Sequence, residues 1–192
     1  MDIYNNLVYQ KILSLRGIKL GAKTSFIGSP IISKVKDSNI ELGEGVILCS
    51  RPQYTALGCS HPVVIRAMKS GALIKIGDRV RVSGLSICAA EIITIGDRCV
   101  IGSDSMIVDT DFHSIDPAKR SSKDDFENAK SSPVVIGNDV FIGANCAVLK
   151  GSTIGNYAVI GANSVVTKDV PEGTVFAGNP AKKIANIKEV IK

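Results

Sequence analysis

The sequence predicts an all-β fold, a three-sided parallel coil, and three observations predict it. An aliphatic residue returns at every sixth position between Val134 and Pro171: Ile136, Ile142, Val148, Ile154, Ile160 and Val166. Four positions after each stands a second, mostly small residue: Val140, Cys146, Ser152, Ala158, Ser164 and Val170. The residues between are turn formers, among them Gly137, Asn138, Asp139, Asn145, Gly151, Asn156 and Asn163. A period of six matches neither a helix nor an alternating strand. It matches a short strand followed by a corner. Three such sides bring the chain back to its starting direction, so that the aliphatics stack into one continuous interior. The second inward residue is small because it sits near a corner, and Gly, Asn and Asp tolerate the positive φ that corners demand. A sandwich with Gly-rich turns is the competing fold, and six consecutive hexads in register count against it.

Composition agrees. The length of 192 residues suits one domain with small appendages. Apolar residues make up 45%, enough for a core, yet aromatics are 5% and Trp is absent, as a narrow interior requires. Five cysteines without a Cys-x-x-Cys pair give no disulfide framework and favour a reducing compartment. Cys88, Cys99 and Cys146 fall on inward positions and read as small core residues. No apolar run is long enough to span a bilayer, and Met1 to Asn6 lacks the pattern of a secretory signal. The expected compartment is therefore the cytoplasm. The net charge of +5 suits an anionic ligand. No basic-aromatic interleaving or nucleic-acid module occurs, so nucleic acid is not expected as a partner.

The elements follow in order. Residues 1–17 form an N-terminal cap, with Ile3, Leu7, Ile12 and Leu15 as a helical stripe covering the first coil. The coil occupies 18–171. Its hexads begin at Leu20 and Phe26, are irregular through Ile32, and resume at Leu42 and Leu48. A first excursion covers about 51–71 and carries Tyr54, Cys59 and Ser60-His61-Pro62. Hexads return at Ile76, Val82, Cys88, Ile95, Ile101 and Ile107. A second, polar excursion covers about 112–133, and an insertion on one corner of a solenoid is where function usually sits. A disordered linker is the alternative reading. Residues 172–192 form a turn at Ala177 to Ala181 and then a helix from Lys182, with Ile184, Ile187 and Ile191 on one side.

Chemistry has few candidates. His113 lies in Asp109-Thr110-Asp111-Phe112-His113, where the second excursion starts, and His61 lies in the first. An imidazole titrates near neutrality and takes a proton from an attacking hydroxyl or amine. Asp111, Asp109 or a backbone carbonyl is expected to fix its tautomer. There is no Gly-x-Ser-x-Gly elbow and no zinc-ligand spacing, so no metal is expected. Cys59 stands close to His61, a weak signal for a nucleophile. A base without a stored acyl group needs a donor that arrives activated, such as a thioester.

Ser60-His61-Pro62, Ser83 to Ala89, Asp109 to His113, Pro133 to Gly143, Ile160 to Pro171 and Gly178-Asn179-Pro180-Ala181-Lys182 resemble the hexapeptide-repeat acetyltransferases. The likeness is to the branch holding maltose and galactoside acetyltransferases and polysaccharide O-acetyltransferases. It implies a left-handed parallel β-helix. It also implies acetyl-CoA as donor, a homotrimer with active sites between subunits, and His113 as catalytic base. The donor's pantetheine arm would pass corner residues Ala144 and Ala162, with Thr167 and Lys168 near the adenine and phosphate end. Lys182 stands where relatives often carry Arg and keeps the charge without the bidentate fork. A second basic position is Ala185 here. Asp111, Arg120 and His61 are assigned to the acceptor side. Outward apolar residues Val135, Phe141 and Val159 would pack across the threefold axis.

The expectation is an acetyl-CoA-dependent O-acetyltransferase acting on a small-molecule sugar acceptor, a polysaccharide precursor. Two alternatives stand beside it: an N-acetyltransferase on an amino-sugar or nucleotide-amino-sugar, and a non-catalytic β-helix scaffold.

Overall fold

The computed structural model describes the backbone of residues 3–191 and the side chains of residues 7–191. After helix α1 (Ile3–Leu15), the chain winds as a parallel β-coil with three faces. The first face stacks six strands: Lys19–Leu20, Asn39–Leu42, Leu73–Ile76, Ile92–Ile95, Val134–Ile136 and Thr153–Ile154. The second begins with Ser25–Ile27, Ile47–Cys49, Arg81–Ser83, Val100–Ile101, Phe141–Ile142 and Val159–Ile160. The third stacks Ile31–Lys34, Val64–Ala67, Ser86–Ala89, Met106–Val108, Ala147–Val148 and Val165–Val166.

Register explains the hexads. Ile136, Ile142, Val148, Ile154, Ile160 and Val166 are all at most 2% exposed. Their small companions from Val140 to Val170 are buried to the same degree. Each aliphatic lies above its counterpart one coil away, as Ile142 pairs with Ile101 and Ile160. Each buried Ile or Val contributes about 1.5–3 kcal/mol relative to exposure.

One corner carries a ladder that the turn reading did not foresee. Asp139, Asn145, Gly151 and Asn163 do adopt positive φ. Gly137, Asn138 and Asn156 do not. Here the side chains of Asp78, Asp97, Asn138 and Asn156 each accept from a backbone N–H of the coil before: Glu44 (2.8 Å), Asp78 (2.9 Å), Asp97 (2.8 Å) and Asn138 (2.8 Å). The preceding Gly77 and Gly137 are needed for close approach. A Cβ on Gly77 would lie 2.4 Å from Asp97 Oδ1, and one on Gly137 would lie 2.6 Å from Asn156 Oδ1.

Several expectations need correction. Ile32 is in register, beside Ile65. The irregularity is the wider corner at 35–38. The first excursion is shorter than 51–71, because Val64–Ala67 is already a strand of the third face. Cys88 does not face inward. Ile87 follows Val82 after five positions, whereas Ile107 follows Ile101 after six, so the short corner at Gly84 puts Ile87 and Ala89 inside. Cys99 and Cys146 are buried as expected, and all five cysteines are unpaired.

Helix α1 packs through Leu13, fully buried, and through Tyr9, whose ring meets Phe26 edge-on at 5.5 Å. Leu7, Ile12 and Leu15 are exposed, so the expected stripe is not the packed face. Ile3 lies outside the described side chains. The tail from Lys182 is not a helix. Lys182–Asn186 is a strand antiparallel to Thr174–Ala177, extending the second face to eight strands, and only Ile187–Val190 is helical. Ile184 and Ile191 are exposed. No helix among the described residues is long and apolar enough to cross a membrane.

Candidate active site

The second excursion leaves the third face after Val108 and is bolted down at its root. Asp109, fully buried, accepts from the N–H groups of Ala90 (2.6 Å) and Glu91 (2.8 Å). Burial pushes its carboxyl above the usual range. Thr110 bridges Ser131, and Asp111 N–H donates to Lys130 O at 3.0 Å. His113 N–H then donates to Asp111 O at 2.7 Å, closing a tight turn around Phe112, whose φ is +60°. A bulky residue at positive φ is strained, and such strain concentrates at functional sites. The turn throws His113 outward, where its side chain is 70% exposed.

The ring's partner is Asp125. Its Oδ2 lies 2.5 Å from His113 Nδ1, and its Oδ1 accepts from Ser114 N–H at 2.7 Å. This corrects the expected partners. Asp109 is spent at the loop root, and the turn at Phe112 directs the Asp111 side chain elsewhere, to Lys150 Nζ at 2.6 Å. The His113 hydrogen bond, then that of Ser114, holds the Asp125 carboxyl below its usual range. Arg120 joins this group. It closes the short helix α2 (Pro117–Arg120), capped by Asp116, and its Nη1 donates to Ser114 O at 3.4 Å. Asp125 opens a second short helix, α3 (Asp125–Asn128). Lys69, on the coil, grips α3 through Glu127 Oε2 at 3.2 Å and lies 4.8 Å from the Phe126 ring centroid. The linker alternative thus gives way to a loop folded on its own contacts.

Lys150, like Asp125, is absent from the sequence-derived set. It stands two positions after Val148, as Lys168 stands two after Val166, so both occupy the corner between the third and first faces in successive coils. Asp111 Oδ2 is buried without a hydrogen-bond partner.

The structure divides the expected donor residues between two corners. Ala144 and Ala162 occupy equivalent places between the second and third faces, joined where Asn163 N–H donates to Ala144 O at 2.9 Å. The tail crosses beside them, with Ala181 N–H on Val165 O at 2.8 Å, and brings in Lys182, which is exposed. Thr167 and Lys168 are exposed on the corner of Lys150. His61 is apart from His113. Its loop joins the second face to the third, and its Nδ1 lies 2.7 Å from Pro62 O. Cys59 is a poor nucleophile beside it, because burial, then Cys49 and Asp104, raise its thiol. The same loop roofs a groove of about 690 Å³ over the second face, lined by Tyr54, Leu57, Arg81, Phe141 and Ala144. Among the described residues, no cluster of three or more His, Cys, Asp or Glu could hold a metal.

Residues 133–168 match the bacterial transferase hexapeptide family (six repeats), and residues 92–109 match the hexapeptide repeat of succinyl-transferase. A 2,3,4,5-tetrahydropyridine-2,6-dicarboxylate N-acetyltransferase from Staphylococcus aureus (strain bovine RF122 / ET3-1) is 50% identical over 64 residues. That match spans 33% of this chain and about a quarter (27%) of the relative. Among solved structures, a hexapeptide-repeat-containing acetyltransferase from Vibrio cholerae O1 biovar eltor, complexed with acetyl coenzyme A, superposes with a TM-score of 0.55 at 26% identity. The match covers 86% of this chain and 72% of that one. The polysialic-acid-specific acetyltransferase NeuO gives 0.52 at 26% identity, over 85% of this chain and 65% of that one. The chain thus carries the hexapeptide repeat over these two segments and shares the parallel β-helix fold of the hexapeptide-repeat acetyltransferases.

Proposed function

We propose that the protein transfers an acetyl group from acetyl-CoA to a sugar hydroxyl, with His113 as general base. The observation that carries this reading is the His113–Asp125 pair. With Nδ1 engaged at 2.5 Å, Nε2 is left open to solvent on an exposed ring. The acceptor oxygen attacks the thioester carbonyl as Nε2 takes its proton. The tetrahedral intermediate collapses, the C–S bond breaks, and the departing thiolate recovers the proton from the imidazolium. Acetyl-CoA fits the residues present. Ala144 and Ala162 make a small-residue edge for an extended arm, and exposed Lys168 and Lys182 offer charge to phosphates. Thr167 stands beside Lys168. Asp111, Arg120 and His61 are assigned to the acceptor side, His61 through a neighbouring subunit, because its loop lies on another corner.

An exposed base suits a site completed by a second copy. A homotrimer, with Val135 (41% exposed) and Phe141 (49%) covered between protomers, is part of the proposal. So are the division into cap, coil (18–171) and tail, the cytoplasmic location suggested by five unpaired cysteines, and a polysaccharide precursor as acceptor. The NeuO likeness supports the sugar hydroxyl.

A second reading, acetylation of an amine, is favoured by the name of the Staphylococcus aureus relative. Thiol release from acetyl-CoA across a panel of sugars and nucleotide-sugars tests the first claim. Alkali then separates the two readings, since an ester product hydrolyses readily and an amide does not. His113→Ala should fold normally and lose about 100- to 10,000-fold in turnover. Turnover near wild type with the best acceptor would remove His113 from the mechanism.

A further inference from the structure

We propose that Asp125 is a positioning residue that fixes the His113 tautomer, carried to the ring on a short helix that the coil holds through Lys69; this rests on His113 being the base. Four observations converge. The Asp125 carboxylate is shared between His113 Nδ1 (2.5 Å) and Ser114 N–H (2.7 Å), so it is held from two sides. It is 17% exposed, although the ring it holds is 70% exposed, so the partner is sheltered while the base faces out. Three other acids of the loop and its root are committed elsewhere: Asp109 to the backbone of Ala90 and Glu91, Asp111 to Lys150, and Asp116 to the Ala118 N–H. Finally, α3 is docked through its two residues after Asp125, by Lys69 on Glu127 and over Phe126.

A carboxylate on Nδ1 requires that nitrogen to carry the proton in the neutral ring. Nε2 is then the acceptor. This is the less common form of a free imidazole, so a partner must impose it. Asp125 also stabilises the imidazolium formed during transfer. The charged groups around the pair are Asp125 against the ring and Arg120 against Asp125.

With only two histidines in the chain, a ¹⁵N imidazole NMR spectrum reads the tautomer directly, and His61→Gln assigns the remaining signal. Wild type is expected to show His113 protonated on Nδ1. Asp125→Ala is expected to shift the ring toward Nε2–H and to lower kcat by about 10- to 100-fold with little change in KM. It is also expected to move the ascending limb of the kcat/KM pH profile to lower pH. Asp125→Glu should recover part of the loss. Asp125→Asn keeps an acceptor for Ser114, so it separates loop collapse from loss of charge. An unchanged tautomer and unchanged kcat in Asp125→Ala, with His113→Ala inactive, would overturn this inference and leave the proposed function standing. An active His113→Ala would instead overturn the reading on which it rests.

Discussion

Single residues decide both the coil and its site. Gly77 and Gly137 sit where the next coil's carboxylate or amide oxygen already fills the space a Cβ would take. Gly137→Ala should therefore destabilise the protein by about 1–3 kcal/mol, read from denaturant unfolding. A change within about 0.5 kcal/mol would mean that the ladder gives way freely. His113 as a candidate was legible, since it is one of two histidines and opens the polar insertion. Its partner was not. Neighbours in sequence point away once Phe112 turns the chain, and the acid that meets the ring lies twelve residues on. Nothing in local spacing indicates that return. Cys88 was misread for a related reason: one residue missing from the corner at Gly84 inverts what faces inward, and a fixed period of six cannot register it.

At the level of elements, the strands of the coil were plain because each repeats the same demand on its neighbours. The appendages obey no repeat. In α1 the packed residues are Tyr9 and Leu13, which meet only the first coil, and the apolar residues around them are left in solvent. Leu13→Ala should cost about 2–5 kcal/mol, and Leu15→Ala, at a position 81% exposed, less than about 0.5 kcal/mol. Equal effects in chemical unfolding would mean that the helix packs otherwise. The tail was read as a helix from its three isoleucines, but its strand is fixed by pairing with Thr174–Ala177, which local sequence does not encode. The α3 helix has four residues and no stability of its own. Lys69→Ala should therefore loosen it, lowering kcat in the direction of Asp125→Ala. The melting temperature should barely move, because a partly exposed ion pair is worth about 0–1 kcal/mol. Full activity in that variant would show that α3 docks without the lysine.

The whole molecule is a narrow prism with broad flat faces and two loop excursions on different corners. His61 and His113 belong to separate corners of one chain, so the proposed shared site needs a second copy of the chain, and the proposal supplies it through a threefold assembly. Light scattering should give three times the 20.3 kDa protomer mass. Phe141→Glu, at a half-exposed position on the second face, should shift it toward the monomer and reduce turnover with it. A wild-type monomer that is fully active would end the shared-site reading.

The most direct test is a crystal structure with coenzyme A bound. The pantetheine arm should lie along Ala144 and Ala162, with a phosphate within reach of Lys168 or Lys182 and the sulfur beside His113 Nε2. Coenzyme A lying elsewhere, with its sulfur remote from every His113 in the assembly, would contradict the proposed site.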